Sequence, residues 1–215
     1  MERTFCLNVN MMKKLLYSII FIGVLFLIWI KSDIPLSLNF PIILLMTVPF
    51  WIYYRIHKHK KYRNCHTGRE IVVNLFFLYL LTVLYVTLNP FHFFPPGNKG
   101  NINLIPYVQI LYQYKYKPPI FWMLYTLGNI LLFVPFGFLF PALYKKRFKM
   151  AITFIVATLS SLTIELTQYF FTIDRAADID DFILNIFGSI IGYFIYFFSK
   201  IIINKGKTII IYFSN

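Results

Sequence analysis

Residues 71–88 read IVVNLFFLYLLTVLYVTL, eighteen consecutive residues without a charge. A helix crossing the hydrocarbon core of a bilayer needs roughly 17–25 predominantly apolar residues. This run therefore predicts a membrane span, and the rest of the chain repeats the pattern. Apolar runs also occupy about Leu15–Ile30, Leu36–Tyr54, Ile120–Tyr144, Met150–Phe171 and Phe182–Ile203. Hydrophobic residues make up 59% of the 215 and charged residues 13%, against about 25% charged in a soluble domain. The fold class expected is all-α, a polytopic integral membrane bundle of about six transmembrane helices.

The net charge of +13 would suggest nucleic acid in a soluble protein. Here the basic residues lie between apolar runs, which points to membrane topology, and no nucleic-acid partner is expected. With the N-terminus inside, sixteen of the Lys and Arg fall on the cytoplasmic side and five outside. That bias follows the positive-inside rule and predicts a multi-pass cell-membrane protein with both termini cytoplasmic. The basic loop Arg55–Arg69 serves as a topology anchor facing the inner-leaflet lipids. Three segments are expected: residues 1–70, a two-helix membrane segment with the basic loop; residues 71–204, a four-helix membrane domain; and residues 205–215, a short basic cytoplasmic tail. Between Asn89 and Pro119 lie six of the eleven prolines, which predicts an irregular outer loop. Its apolar piece NINLIPYVQIL is placed to lie in the interface or dip back into the protein.

Cys6 and Cys65 form no disulfide framework, and Cys65-His66 lacks a second pair at zinc-ligand spacing. No metal and no cofactor is expected.

Charge inside a membrane is costly, about 2.5–3.5 kcal/mol per residue at mid-span on insertion scales. Glu165 lies in the fifth run, six residues before its end. Ser161, Glu165 and Gln168 follow the i, i+4, i+7 spacing of one helix face. The sixth run opens on the stretch DRAADIDDFILN, Asp174–Asn185, which holds four of the chain's eight acidic residues. Asp178, Asp180 and Asp181 stand at the first turn of that helix, where carboxylates cap backbone amides and favour the helix dipole. Capping leaves unexplained the face Asp181, Asn185, Gly188, Gly192, polar at one end and small further along. Its glycines allow a second helix to approach closely. In the fourth run Asn129 follows Gly128, and Pro135 interrupts the helical hydrogen bonding beyond it. Asn129, Glu165, Gln168, Asp181 and Asn185 share one depth on three spans. Together they predict one hydrated polar cavity open to the outside, with Arg175 placed to pair with Glu165 or an aspartate.

The stretches NLIP (Asn103–Pro106), GNILLFVPFGF (Gly128–Phe138), IELTQ (Ile164–Gln168) and RAADIDDFILNIFGSIIGY (Arg175–Tyr193) resemble the VanZ-like membrane proteins. The resemblance covers roughly residues 71–197. It implies membership of a cell-envelope family, named after a teicoplanin-resistance protein of Gram-positive bacteria, with no settled catalytic activity. The motif residues it carries over are Asn129, Pro135, Glu165, Gln168, Arg175, Asp178, Asp181 and Asn185. All of these except Pro135 are the candidate binding residues.

Three functions compete. In the first, the cavity binds membrane lipids, a lipid-linked cell-wall precursor or a glycopeptide. In the second, Glu165 and Asp181 are catalytic candidates acting on an envelope lipid, with Asp178 as a further carboxylate and His92 as an acid. No nucleophile–base motif supports that reading. In the third, Glu165 relays protons in a transporter, but the paired repeats and midplane site of a transporter are not visible.

Overall fold

The computed structural model describes residues 9–32, 34–61, 67–89, 91–94, 101–143, 149–172 and 176–213. Seven α-helices occupy them: α1 (Val9–Lys31), α2 (Phe40–Lys61), α3 (Thr67–Leu88), α4 (Val108–Tyr116), α5 (Pro119–Leu143), α6 (Lys149–Phe171) and α7 (Ile179–Phe213). Four of the six apolar runs lie within one helix each; the run from Leu36 begins in a short strand and continues as α2, and the run from Ile120 fills α5 to its last residue, Leu143. The segments Phe40–Lys58, Gly68–Leu88, Pro119–Leu143, Lys149–Phe171 and Ile179–Ile203 are long and apolar enough to cross a membrane. Their large apolar side chains, such as Leu78, Leu131, Leu159 and Phe187, are exposed along the helix flanks while the buried core stays small. That is the surface of a bundle solvated by lipid. The chain is a multi-pass, all-α membrane protein.

The tightest contact in the bundle is that of α5 with α7, and three glycines account for it. A β-carbon on Gly188 would overlap the carbonyl of Ile130, one on Gly192 the carbonyl of Val134, and one on Gly137 the carbonyl of Ser189. Backbone meets backbone where no side chain intervenes, the close-approach packing expected of small residues in membranes. Helix α5 runs through Pro135 and Pro141 without interruption. Phe133, Phe136 and Phe140 bury themselves on this helix with Ala157 of α6, and Phe76 and Tyr79 of α3 pack on them. At the far end Lys149 donates to the carbonyl of Pro141 at 3.0 Å and to the hydroxyl of Tyr196 at 2.8 Å. A lysine there satisfies the carbonyls left open at the C-terminus of α5.

Helices α2 and α3 are joined by an ion pair between Arg55 and Glu70, by stacking of Trp51 on Phe77, and by the indole N–H of Trp51 donating to Asn74. Arg55 is thus a buried partner of α3, not part of a solvated loop. Helix α2 extends to Lys61 and α3 starts at Thr67, so the expected Arg55–Arg69 loop is mostly helix. Helix α7 likewise continues to Phe213, through most of the segment expected as a tail.

The segment between α3 and α5 departs from the expected irregular loop. Within it lie α4 and two short strands, β2 (His92–Phe93) and β3 (Ile102–Asn103). Strand β2 pairs antiparallel with β1 (Leu36–Ser37), setting Ser37 opposite His92. Strand β3 pairs parallel with β4 (Ala177–Asp178), setting Asn103 opposite Asp178. The second pair carries the chain between α3 and α5 onto the start of α7, where the acidic residues are.

Candidate functional site

The three aspartates at the start of α7 do three different jobs. Asp178 is the residue before the helix, and its Oδ1 accepts the amide hydrogen of Asp180 at 2.9 Å. That is an N-cap of α7 itself. The same Oδ1 accepts from Asn103 Nδ2 at 3.1 Å, tying the cap to β3. Burial pushes the Asp178 carboxyl above the usual carboxylate range; the hydrogen bonds from Asp180 and Asn103 work against it, and the nearby Asp180 charge adds to it.

Asp180 caps another helix. It is 1% exposed. Its Oδ1 accepts the amide of Tyr107 at 2.5 Å and its Oδ2 those of Gln109 and Ile110 at 3.0 and 3.2 Å. Tyr107, the residue before α4, has a left-handed backbone (φ 68°) and no capping side chain of its own. The amides orphaned at the start of α4 are satisfied by a carboxylate from α7. Capping of their own helix, expected for these aspartates, therefore holds for Asp178 but not for Asp180.

Asp181 turns inward. It accepts a hydrogen bond from Asn129 Nδ2 on α5 at 2.7 Å, and the phenol of Tyr125 lies beside it. One turn further along α7, Asn185 is 2% exposed and donates to Ser161 Oγ on α6 at 3.0 Å. Gln168 on α6 donates to the carbonyl of Thr87 at the end of α3, at 3.0 Å. Glu165 Oε2 accepts the backbone amide of Asp178 at 2.8 Å.

These contacts converge. Asn129, Glu165, Gln168, Asp181 and Asn185 line one cavity of about 60 Å³, closed by Val86, Thr87, Leu132 and Ile164. A water needs roughly 10–15 Å³ measured this way, so the space holds about four waters or one small polar group. The structure brings together the five residues that shared a depth in the sequence. Asp178 is not in this wall. It lines a neighbouring groove of about 140 Å³, otherwise largely apolar, with Ile102, Leu104, Leu162, Leu166, Tyr169, Ala177, Ile179 and Phe182. Glu165 belongs to both linings.

Arg175, expected to pair with Glu165 or an aspartate, lies outside the described residues. His92 sits exposed on β2 and lines neither space. Among the described residues no group of three or more His, Cys, Asp or Glu has the arrangement of a metal site. Asn103, Thr87 and Tyr125 surround the candidates without standing out in the sequence. Asn103 was visible only within NLIP, Thr87 contributes a backbone carbonyl, and tyrosine is too common here to single out one.

A family model described as VanZ/LLP1 matches residues 76–202. No curated protein matches the chain, and no solved structure does. The matched span runs from α3 to α7 and includes every residue of the polar cavity.

Proposed function

The chain belongs to the VanZ/LLP1 family, and on that premise we propose that it binds a component of the cell envelope in the cavity between α3, α5, α6 and α7. The single observation behind this reading is the convergence of five polar side chains from three spans on one small space. Interhelical hydrogen bonds in membranes are worth only about 0.6 kcal/mol on average. Structural need therefore accounts poorly for two carboxyl groups and three amides brought to one place against the cost of inserting them. The adjoining apolar groove supports an amphipathic ligand, with a polar head in the cavity and hydrocarbon beside it, and Glu165 stands in the walls of both.

In this reading the protein sits in the cell membrane with both termini cytoplasmic and the α6–α7 connection facing outward, as the distribution of Lys and Arg supports. Membrane lipids or a lipid-linked wall precursor are the partners. By binding or altering such a component the protein lowers sensitivity to teicoplanin-type glycopeptides, as the family resemblance supports. The test is expression of the wild type, Glu165→Ala and Asp181→Ala in a strain lacking the gene, with protein levels measured in the membrane fraction. The wild type should raise the inhibitory concentration of teicoplanin, and both variants should fail to do so at normal abundance. Unchanged sensitivity with the wild type would refute the resistance role. Full activity of both variants would refute the cavity.

A further inference from the structure

Helix α4 is amphipathic in the opposite sense from a helix on a protein in water. A water-soluble surface helix buries its apolar stripe and turns its polar residues outward. In α4 the half-buried residues are Gln109, Ile110 and Gln113, and none is fully buried. The outward stripe runs Val108, Leu111, Tyr112, Lys115, Tyr116, at the i, i+3, i+4, i+7, i+8 spacing of one helix face. All five are exposed, Tyr116 by 71%, and the rings of Tyr112 and Tyr116 lie 5.3 Å apart along the stripe. Just before the helix Leu104, Ile105 and Tyr107 are exposed as well.

Packing of that stripe against the protein therefore does not hold α4 in place. A carboxylate does: Asp180 of α7 accepts the amides of Tyr107, Gln109 and Ile110. An edge contact of Tyr114 with Trp122 of α5 adds to it. A helix this short is marginal in water by itself, and this one leaves its apolar stripe open, so an apolar medium has to cover it.

The surroundings identify the medium. Two residues separate α4 from α5, and Ile120, Phe121 and Leu124 at the start of α5 are exposed. The apolar surface thus runs on into the flank of a membrane span. Tyrosine and lysine set among aliphatic side chains favour the head-group level of a bilayer. Between Asn89 and Pro119 stand three lysines and no Asp or Glu, which suits anionic phosphates. A symmetric pairing of two copies through this stripe would instead bring their Lys115 side chains together, with no carboxylate from either stripe between them. The geometry points to α4 as an interfacial helix. Its outward stripe lies in the lipid leaflet at that end of the bundle, and Lys115 and Lys117 engage the phosphates of anionic lipid head groups. Long lysine stems allow this, lying along hydrocarbon while the ammonium reaches the head groups. This holds whatever the polar cavity binds.

The experiment uses the full chain in nanodiscs, with Cys6→Ser and Cys65→Ser, and a nitroxide attached at Leu111→Cys. Its collisions with oxygen, which concentrates in lipid, are compared with those of a neutral, water-soluble nickel chelate. The label should favour oxygen several-fold, as should one at Leu131→Cys on the exposed flank of α5. Equal access to both reagents, or a preference for nickel, would place the stripe in water. Access to neither would put another protein, or a second copy of this chain, over it. Each of these results would overturn the inference. Tyr112→Cys, on the same stripe, gives the same measurement if Leu111→Cys does not fold.

The lysines are tested in the same discs. At low ionic strength the oxygen-to-nickel ratio at Leu111 should be higher in phosphatidylglycerol than in phosphatidylcholine, because the anionic head groups draw the helix in. Lys115→Gln with Lys117→Gln should abolish that difference while the preference for oxygen remains. No difference between the lipids, or one that survives the double variant, would overturn the pairing of these lysines with phosphate.

Discussion

Asn129 and Asp181 meet across the closest helix contact of the protein, the amide of one donating to the carboxylate of the other at 2.7 Å. Gly188, two turns along α7 from Asp181, lies against the carbonyl of Ile130, so the pair sits at the mouth of a contact with no slack. A hydrogen bond to a charged group contributes about 1.5–3 kcal/mol in soluble proteins, but membrane double-mutant cycles average about 0.6 and reach about 1.7. A cycle of Asn129→Ala and Asp181→Ala should therefore give a coupling of about 0.5–1.7 kcal/mol, measured by reversible unfolding in mixed micelles. Strictly additive effects would show that the two side chains do not interact.

The link from Asp180 to α4 predicts a local effect. Asp180→Ala leaves the amides of Tyr107, Gln109 and Ile110 without the acceptors they now have. Loss of a cap costs about 0.5–2 kcal/mol. The expected result is faster hydrogen exchange at those amides and along α4, with the α5–α7 contact unaffected. Slow exchange throughout α4 in the variant would mean that α4 is held by packing alone.

The glycines differ in what a methyl group would meet. Gly188→Ala and Gly192→Ala force α5 and α7 apart, and overpacking of this kind typically costs about 1–3 kcal/mol. Gly128, one residue before Asn129 on α5, has open space where a β-carbon would go. Gly128→Ala should stabilise the helix by about 0.5–1 kcal/mol through backbone entropy. Unfolding midpoints of the three variants should separate into two lowered and one raised. A neutral Gly188→Ala would contradict the close approach at Ile130.

Much of this was legible because a bilayer penalises polar residues so heavily. A charge such as Glu165 in an apolar run, and the shared depth of Asn129, Gln168, Asp181 and Asn185, are enough to group the cavity residues from the sequence alone. The face Asp181, Asn185, Gly188, Gly192 followed from the helical repeat alone. The partners of loop residues were hidden. Nothing local says that Asp180 caps α4 rather than α7, because both helices have orphan amides and the choice is made by the β3–β4 pairing, which is two residues long. Strands that short leave no alternation to read. Helix α4 was masked by the prolines around it. Arg55 read as a topology charge because its partner Glu70 lies on a different helix, fifteen residues along the chain.

Asp178 gives the protein a pH dependence with a definite sign. Burial holds its carboxyl above the ordinary value, against the hydrogen bonds from Asp180 and Asn103. A group with a higher pKa in the folded state binds its proton more tightly there than in the unfolded chain. Its contribution to stability is therefore fully present below the unfolded value, about 3.9, and is lost as pH rises through the folded value. Asp178→Asn keeps a side-chain oxygen at the N-cap, where Asn and Asp serve about equally, and removes the titration. The stability of the wild type minus that of the variant should fall as pH rises from about 4 and level off once Asp178 is ionised in the folded state. Unfolding midpoints of both proteins across that range measure the difference directly. A difference that stays constant, or that grows with pH, would show that the fold does not raise the carboxyl above its ordinary value.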